Sequence, residues 1–74
     1  MIDAKYLPTK GEQIAFIKNR INEYKRQVLG GQLEIAMAKK NGEKRAVVTT
    51  QDMIDQIINN IDVLDAELDK LQEV

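Results

Sequence analysis

Leu33 to Thr50 reads LEIAMAKKNGEKRAVVTT, two apolar-alternating runs that meet across the Asn41-Gly42 pair. Asn-Gly between such runs is the strongest short-range signal for a β-hairpin, because both central residues of a type I′ turn need positive φ. With a two-residue loop the register follows by counting. Leu33 pairs with Thr50, Ile35 with Val48, Met37 with Ala46 and Lys39 with Lys44 on one face; Glu34 pairs with Thr49, Ala36 with Val47 and Ala38 with Arg45 on the other. The first face is apolar towards the strand ends and cationic towards the tip, so the ribbon needs an apolar surface to lie on. Gln32 to Lys40 also has the composition of a helix, with Leu33, Ala36, Met37 and Lys40 on one side, which would give a three-helix protein. The β-branched run Val47-Val48-Thr49-Thr50 favours strand, and a lone strand needs a partner.

Upstream, Met1 to Pro8 shows no period and reads as an extended arm over residues 1–8, with Leu7 held out of helix by the following proline. Thr9 opens a capping box with Glu12. Ile14, Ile17, Ile21, Tyr24 and Val28 recur at alternating three- and four-residue spacings, which predicts an amphipathic helix to about Leu29, closed by Gly30-Gly31. Its polar side is cationic through Lys18, Arg20, Lys25 and Arg26. Downstream, Thr49 and Thr50 are candidate N-caps, and Asp52 and Asp55 suit the first turns of a second helix. That helix carries a stripe of Ile54, Ile57, Ile58, Ile61, Leu64, Leu68 and Leu71, with Met53 at its edge. The expected architecture is α+β: one α-β-β-α domain over residues 9–74, with two amphipathic helices packed on one antiparallel β-hairpin.

A chain of 74 residues makes a single domain, and at that size only about 60–65% of the extended surface is buried, so monomer stability is slim. There is no cysteine and no histidine, which excludes a disulfide framework, a thiolate metal site and the usual proton shuttle. No apolar run approaches the roughly 18 residues of a membrane span, and Met1-Ile2-Asp3-Ala4-Lys5 lacks the order of a signal peptide. The expected location is a virion or the host cytoplasm. The net charge of −1 hides an asymmetry: residues 1–50 carry ten cations against five acids, whereas residues 51–74 carry Lys70 against seven acids. Such a dipole either serves contacts between copies or is neutralised within one monomer.

Nothing in the sequence assembles a catalytic group with an activator, so no catalytic residue, metal ligand or cofactor is assigned and the expectation is a non-enzyme. Asp62, Asp65 and Asp69 stand on neighbouring helical turns, as a cation site or a solvated face would. Gly30-Gly31 follows a helix rather than preceding one, which suits a cap and hinge rather than a phosphate loop. Asn59-Asn60 offers neither nucleophile nor base. The candidate contact site is Lys39, Lys40, Lys44 and Arg45, opposed only by Glu43. Those cations read as a finger for an anion or an acidic protein surface, or as a polar tip that deters strand-edge aggregation. The tip has no aromatic residue and the net charge is negative, which argues against duplex recognition. Phe16, Val63 and Val47, the last with Ala36 on the outer face of the ribbon, are more than one thin core can cover and are the expected contacts of a homo-oligomer.

The capped helix ended by Gly30-Gly31, the basic turn Lys39-Lys40-Asn41-Gly42-Glu43-Lys44-Arg45, the β-branched return strand Ala46 to Thr50 and the Thr-capped second helix together resemble the lambda-type phage head-to-tail joining proteins, the gpW family. The resemblance covers roughly residues 9–70 and consists of element order and turn chemistry. It implies a virion component that docks on the portal, helps retain DNA and prepares the surface for the tail, with Lys39, Lys40, Lys44 and Arg45 as the contact finger. Two other functions fit the same residues: a phage-encoded inhibitor or sponge that traps a host defence protein or a signalling nucleotide, and a nucleic-acid accessory factor.

Overall fold

The computed structural model describes residues 2–73. A 3₁₀ turn over Ala4–Tyr6 precedes two long helices, α1 (Lys10–Lys40) and α2 (Lys44–Gln72). The helices lie side by side as an antiparallel hairpin 52 Å long and 20 Å across. There is no strand among the described residues, which corrects the α+β expectation: the fold is all-α. The strands that form part of the element order behind the resemblance to the joining proteins are absent among the described residues.

The turn shows why. A type I′ turn needs positive φ at both central residues, but Asn41 is helical at φ −88° and ψ 0°, and only Gly42 is left-handed, at φ 71°. Gly42 N–H donates to the Lys39 carbonyl at 3.2 Å and Glu43 N–H to the Ala38 carbonyl at 2.9 Å. This pair of bonds is the Schellman arrangement, in which a glycine past the helix end satisfies the last carbonyls. Asn-Gly thus ends one helix instead of joining two strands. Lys44 begins the next after a three-residue connection, so Thr49 and Thr50 lie inside α2 rather than capping it.

The apolar spacing seen over Ile14–Val28 continues without a break through Gly31, Ile35 and Ala38. On α2 the matching positions are Val47, Thr50, Ile54, Ile57, Ile61, Leu64, Leu68 and Leu71. Alternating three- and four-residue spacing on both helices is the seam of a two-stranded coiled coil. The helix expected to stop near Leu29 passes straight through Gly30-Gly31 because the second glycine faces the seam. A Cβ on Gly31 would lie 2.8 Å from Ile54 Cγ1 and 2.9 Å from Cδ1, whereas one on Gly30 would meet nothing within 4 Å. Gly31 is the point at which Ile54 seats on bare backbone.

The core is thin. Among the described residues, Ile21, Ala38 and Ile54 are the buried apolar ones, and the rest of the seam is half-buried. Ile58, which the sequence places in the α2 stripe, lies outside the seam and is 42% exposed.

At the other end the arm is tied down by turns rather than extended throughout. Asp3 accepts from Lys5 N–H at 3.1 Å, and the Pro8 carbonyl accepts from Gln13 Nε2 at 2.8 Å. Thr9 caps α1: its hydroxyl accepts from Glu12 N–H at 3.2 Å and donates to the Glu12 carboxylate at 2.9 Å. Thr9→Ala removes both bonds and is expected to cost about 1 kcal/mol in thermal unfolding. An unchanged midpoint would mean that the start of α1 frays freely.

Candidate functional site

Two surfaces hold the residues singled out in the sequence. The first is the tip, where Lys39 and Lys40 end α1 and Lys44 and Arg45 begin α2, so the four cations bracket the Asn41–Glu43 turn and are all exposed. They are brought together as the sequence suggests, but on a helical loop. Lys39 and Lys44 are not cross-strand neighbours, and the ladder repulsion expected between them does not arise.

A different electrostatic tension replaces it. Cations suit the negative C-terminal end of α1, but Lys44 and Arg45 stand at the positive N-terminal end of α2. The first turn of α2 has no acidic residue, and its N-cap, Glu43, makes no side-chain capping bond. The two charges oppose the helix they begin. No ion pair within the described residues involves any of the four tip cations.

The second surface is the helix exterior. Phe16 and Val63 are strongly exposed. Val47 is not an outer-face residue, as the hairpin reading had it; it is half-buried in the seam and lines a crevice with Ala38 and Gly42. Met37 and Met53 are also more than half exposed, as are Leu29, Leu33 and Val48. Strand alternation had placed Leu33, Met37 and Val48 on the buried face of a ribbon.

The crevices along the seam sort these residues by side. One groups Gln27, Gly30 and Met53, a second groups Arg20, Asn60 and Val63, and a third groups Glu34, Met37 and Ala46. Phe16 joins the same flank with Gln13, which stands a heptad before Arg20. The two ion pairs of the described residues also lie there, Arg20–Glu23 at 3.9 Å and Lys70–Glu67 at 3.3 Å. Four of the five charges on this flank therefore neutralise one another in pairs, leaving Glu34.

The opposite flank differs. It carries Lys18, Lys25 and Lys39 from α1 and Asp55, Asp62 and Asp65 from α2, in no ion pair within 4.0 Å. The Asp62, Asp65 and Asp69 row belongs to this side and is exposed. No three acidic side chains among the described residues converge as metal ligands would.

No helix among the described residues is long and apolar enough to cross a membrane. No family model matches the chain, and no curated protein or solved structure does either.

Proposed function

We propose that this chain is a non-enzymatic protein that works through protein contacts as part of a homo-oligomeric assembly. The supporting observation is surface. The monomer exposes 6091 Å², whereas a compact monomer of this length exposes about 4,600 Å². Its radius of gyration is 16.6 Å, against about 11 Å for a compact domain. The excess of about 1,500 Å² per monomer is nearly twice the roughly 800 Å² that a standard interface buries on each partner, and the exposed surface includes the side chains of Phe16, Met37, Met53 and Val63.

The test is the mass of the purified protein by light scattering at two concentrations and two salt levels. A multimer supports the reading. A monomer under all four conditions overturns it.

The tip supports a second reading, a contact with an anionic partner, because Lys44 and Arg45 stand against the dipole of α2 with no acidic residue in its first turn and in no ion pair within 4.0 Å among the described residues. Replacing both by glutamate is expected to raise stability by roughly 1 kcal/mol and to abolish capture of an acidic partner. A variant that is more stable and still binds would remove the tip from the contact.

A further inference from the structure

Resting on the self-association reading, we propose that a second copy of this chain docks antiparallel on the Phe16–Met37–Met53–Val63 flank, about a two-fold axis at the level of Gln27. Both flanks expose apolar side chains, the opposite one through Leu29, Val48 and Ile58, so the choice between them follows from charge. Phe16 is 65% exposed, Met37 59%, Met53 57% and Val63 62%, and the charges among them are mostly paired already. Burying this flank desolvates one unpaired acid, Glu34; burying the other would desolvate a row of unpaired lysines and aspartates at far greater cost.

The occupant follows from the spacing. A two-fold contact is isologous, so each residue must find its complement at an equal distance on the other side of the axis. Gly31 is level with Ile54, which by equal rise along antiparallel helices puts Met53 level with Gln32 and Val63 level with Asn22. Measured from Gln27, Val63 and Met53 then lie five positions to either side. Arg20 and Glu34 lie seven to either side, and Phe16 and Met37 lie eleven and ten. One axis therefore sets Phe16 on Met37 of the second copy, Met53 on its Val63, and Arg20 beside its Glu34, the one unpaired acid of the flank. Gly30 gives the close approach near the axis, since nothing lies within 4 Å of its Cβ position.

The ends agree with the middle. Reversal about Gln27 brings the basic tip of one copy over the last turns of the other's α2, where Glu67 and Glu73 stand. The two long-range charge imbalances of the chain cancel between copies, and every neighbouring helix in the resulting four-helix bundle is antiparallel, as in up-and-down bundles.

The full chain has no cysteine, so single cysteines report the geometry cleanly. Gln27→Cys sits on the axis and is expected to be linked into a covalent dimer by a short bis-maleimide, whereas Asn22→Cys on the opposite flank is expected to stay unlinked. Linking at Asn22 and not at Gln27, in a protein that scatters as a dimer, would overturn this interface and leave self-association standing. A monomeric mass would overturn both. In the charge test, Arg20→Glu is expected to weaken the dimer at least roughly tenfold by setting like charges opposite each other. Adding Glu34→Arg is expected to restore the affinity. Failure of that restoration in a folded double variant would also overturn the pairing.

Discussion

Gly30→Ala and Gly31→Ala are expected to move stability in opposite directions, although they are the same substitution at adjacent positions of one helix. Gly30 faces open space within the monomer, so alanine there relieves the helix of a glycine and gains about 1 kcal/mol, a rise of several degrees in Tm for a domain of this size when unfolding is followed at concentrations low enough to keep the chain monomeric. At higher concentration the same methyl would obstruct the close approach between copies and offset the gain. At Gly31 the same propensity gain meets a methyl group 2.8 Å from Ile54 Cγ1. Overpacking of that kind costs about 1–3 kcal/mol, so the net result is a loss of about 1 kcal/mol, and Gly31→Val, with two further methyls in the seam, loses about 3 kcal/mol. Thermal unfolding at fixed protein concentration measures all three variants, the fixed concentration being needed because association would shift the midpoint. Equal gains at both glycines would mean that α1 and α2 do not approach each other there.

Ile54→Ala is expected to be the most damaging truncation in the chain. Ile54 is the most buried apolar residue among those described, 4% exposed, and it packs against a residue with no side chain. Removing it leaves a void beside a position that has nothing to collapse into it, which places the cost towards the upper part of the usual 2–5 kcal/mol range, about 4 kcal/mol. A chain of this length has a total stability of about 4–11 kcal/mol, so the variant is close to unfolding at room temperature. Ile58→Ala, one turn further on and 42% exposed outside the seam, is expected to cost far less, about 1 kcal/mol. Urea unfolding with an unchanged slope gives the comparison directly. Similar losses at the two positions would show that the seam does not run through Ile54.

The two halves of the chain differ in how openly their sequence declares the fold. Ile14 to Val28 and Ile54 to Leu71 announce amphipathic helices through spacing alone, and Thr9 with Glu12 announces where the first one starts. The middle misleads because two periods overlap there. Between Leu33 and Lys40 the apolar residues fit strand alternation, but Gly31, Ile35 and Ala38 also extend the helical spacing of Ile14–Val28 without a change of phase. Reading Gly31 as a seam position instead of a stop would have carried the helix to its true end. The β-branched run is similarly double-valued: Val and Thr cost a helix only a few tenths of a kcal/mol each relative to alanine, and Val47 and Thr50 recover that cost by facing α1. Asn-Gly favours a change of direction in either fold, and the hydrogen bonds of Gly42 and Glu43 decide which.

The candidate contact residues were legible to the extent that they depend on charge. The tip cations stand together in either fold because both put residues 39–45 at a turn. Phe16 and Val63 were legible as residues too many for the core. Met37 and Met53 were not, since their exposure follows from the helical phase, which fixes which side of each helix meets the seam. The pairing of Arg20 with Glu23 and of Lys70 with Glu67 likewise marks one flank as self-neutralised only when both helices are in place.

Both proposed contact surfaces, the docking flank and the helix end that Lys44 and Arg45 oppose, exist only if α1 runs unbroken to Lys40 and α2 begins at Lys44. Backbone Cα chemical shifts of residues 28–50 in solution test that claim most directly. Helical shifts are expected through Gly30, Gly31 and on to Lys40, a break at Asn41–Glu43, and helical shifts again from Lys44 through Thr50. Extended shifts over residues 33–40 and 46–50, with a break at the glycine pair, would restore the β-hairpin and remove the flank on which the second copy is proposed to dock.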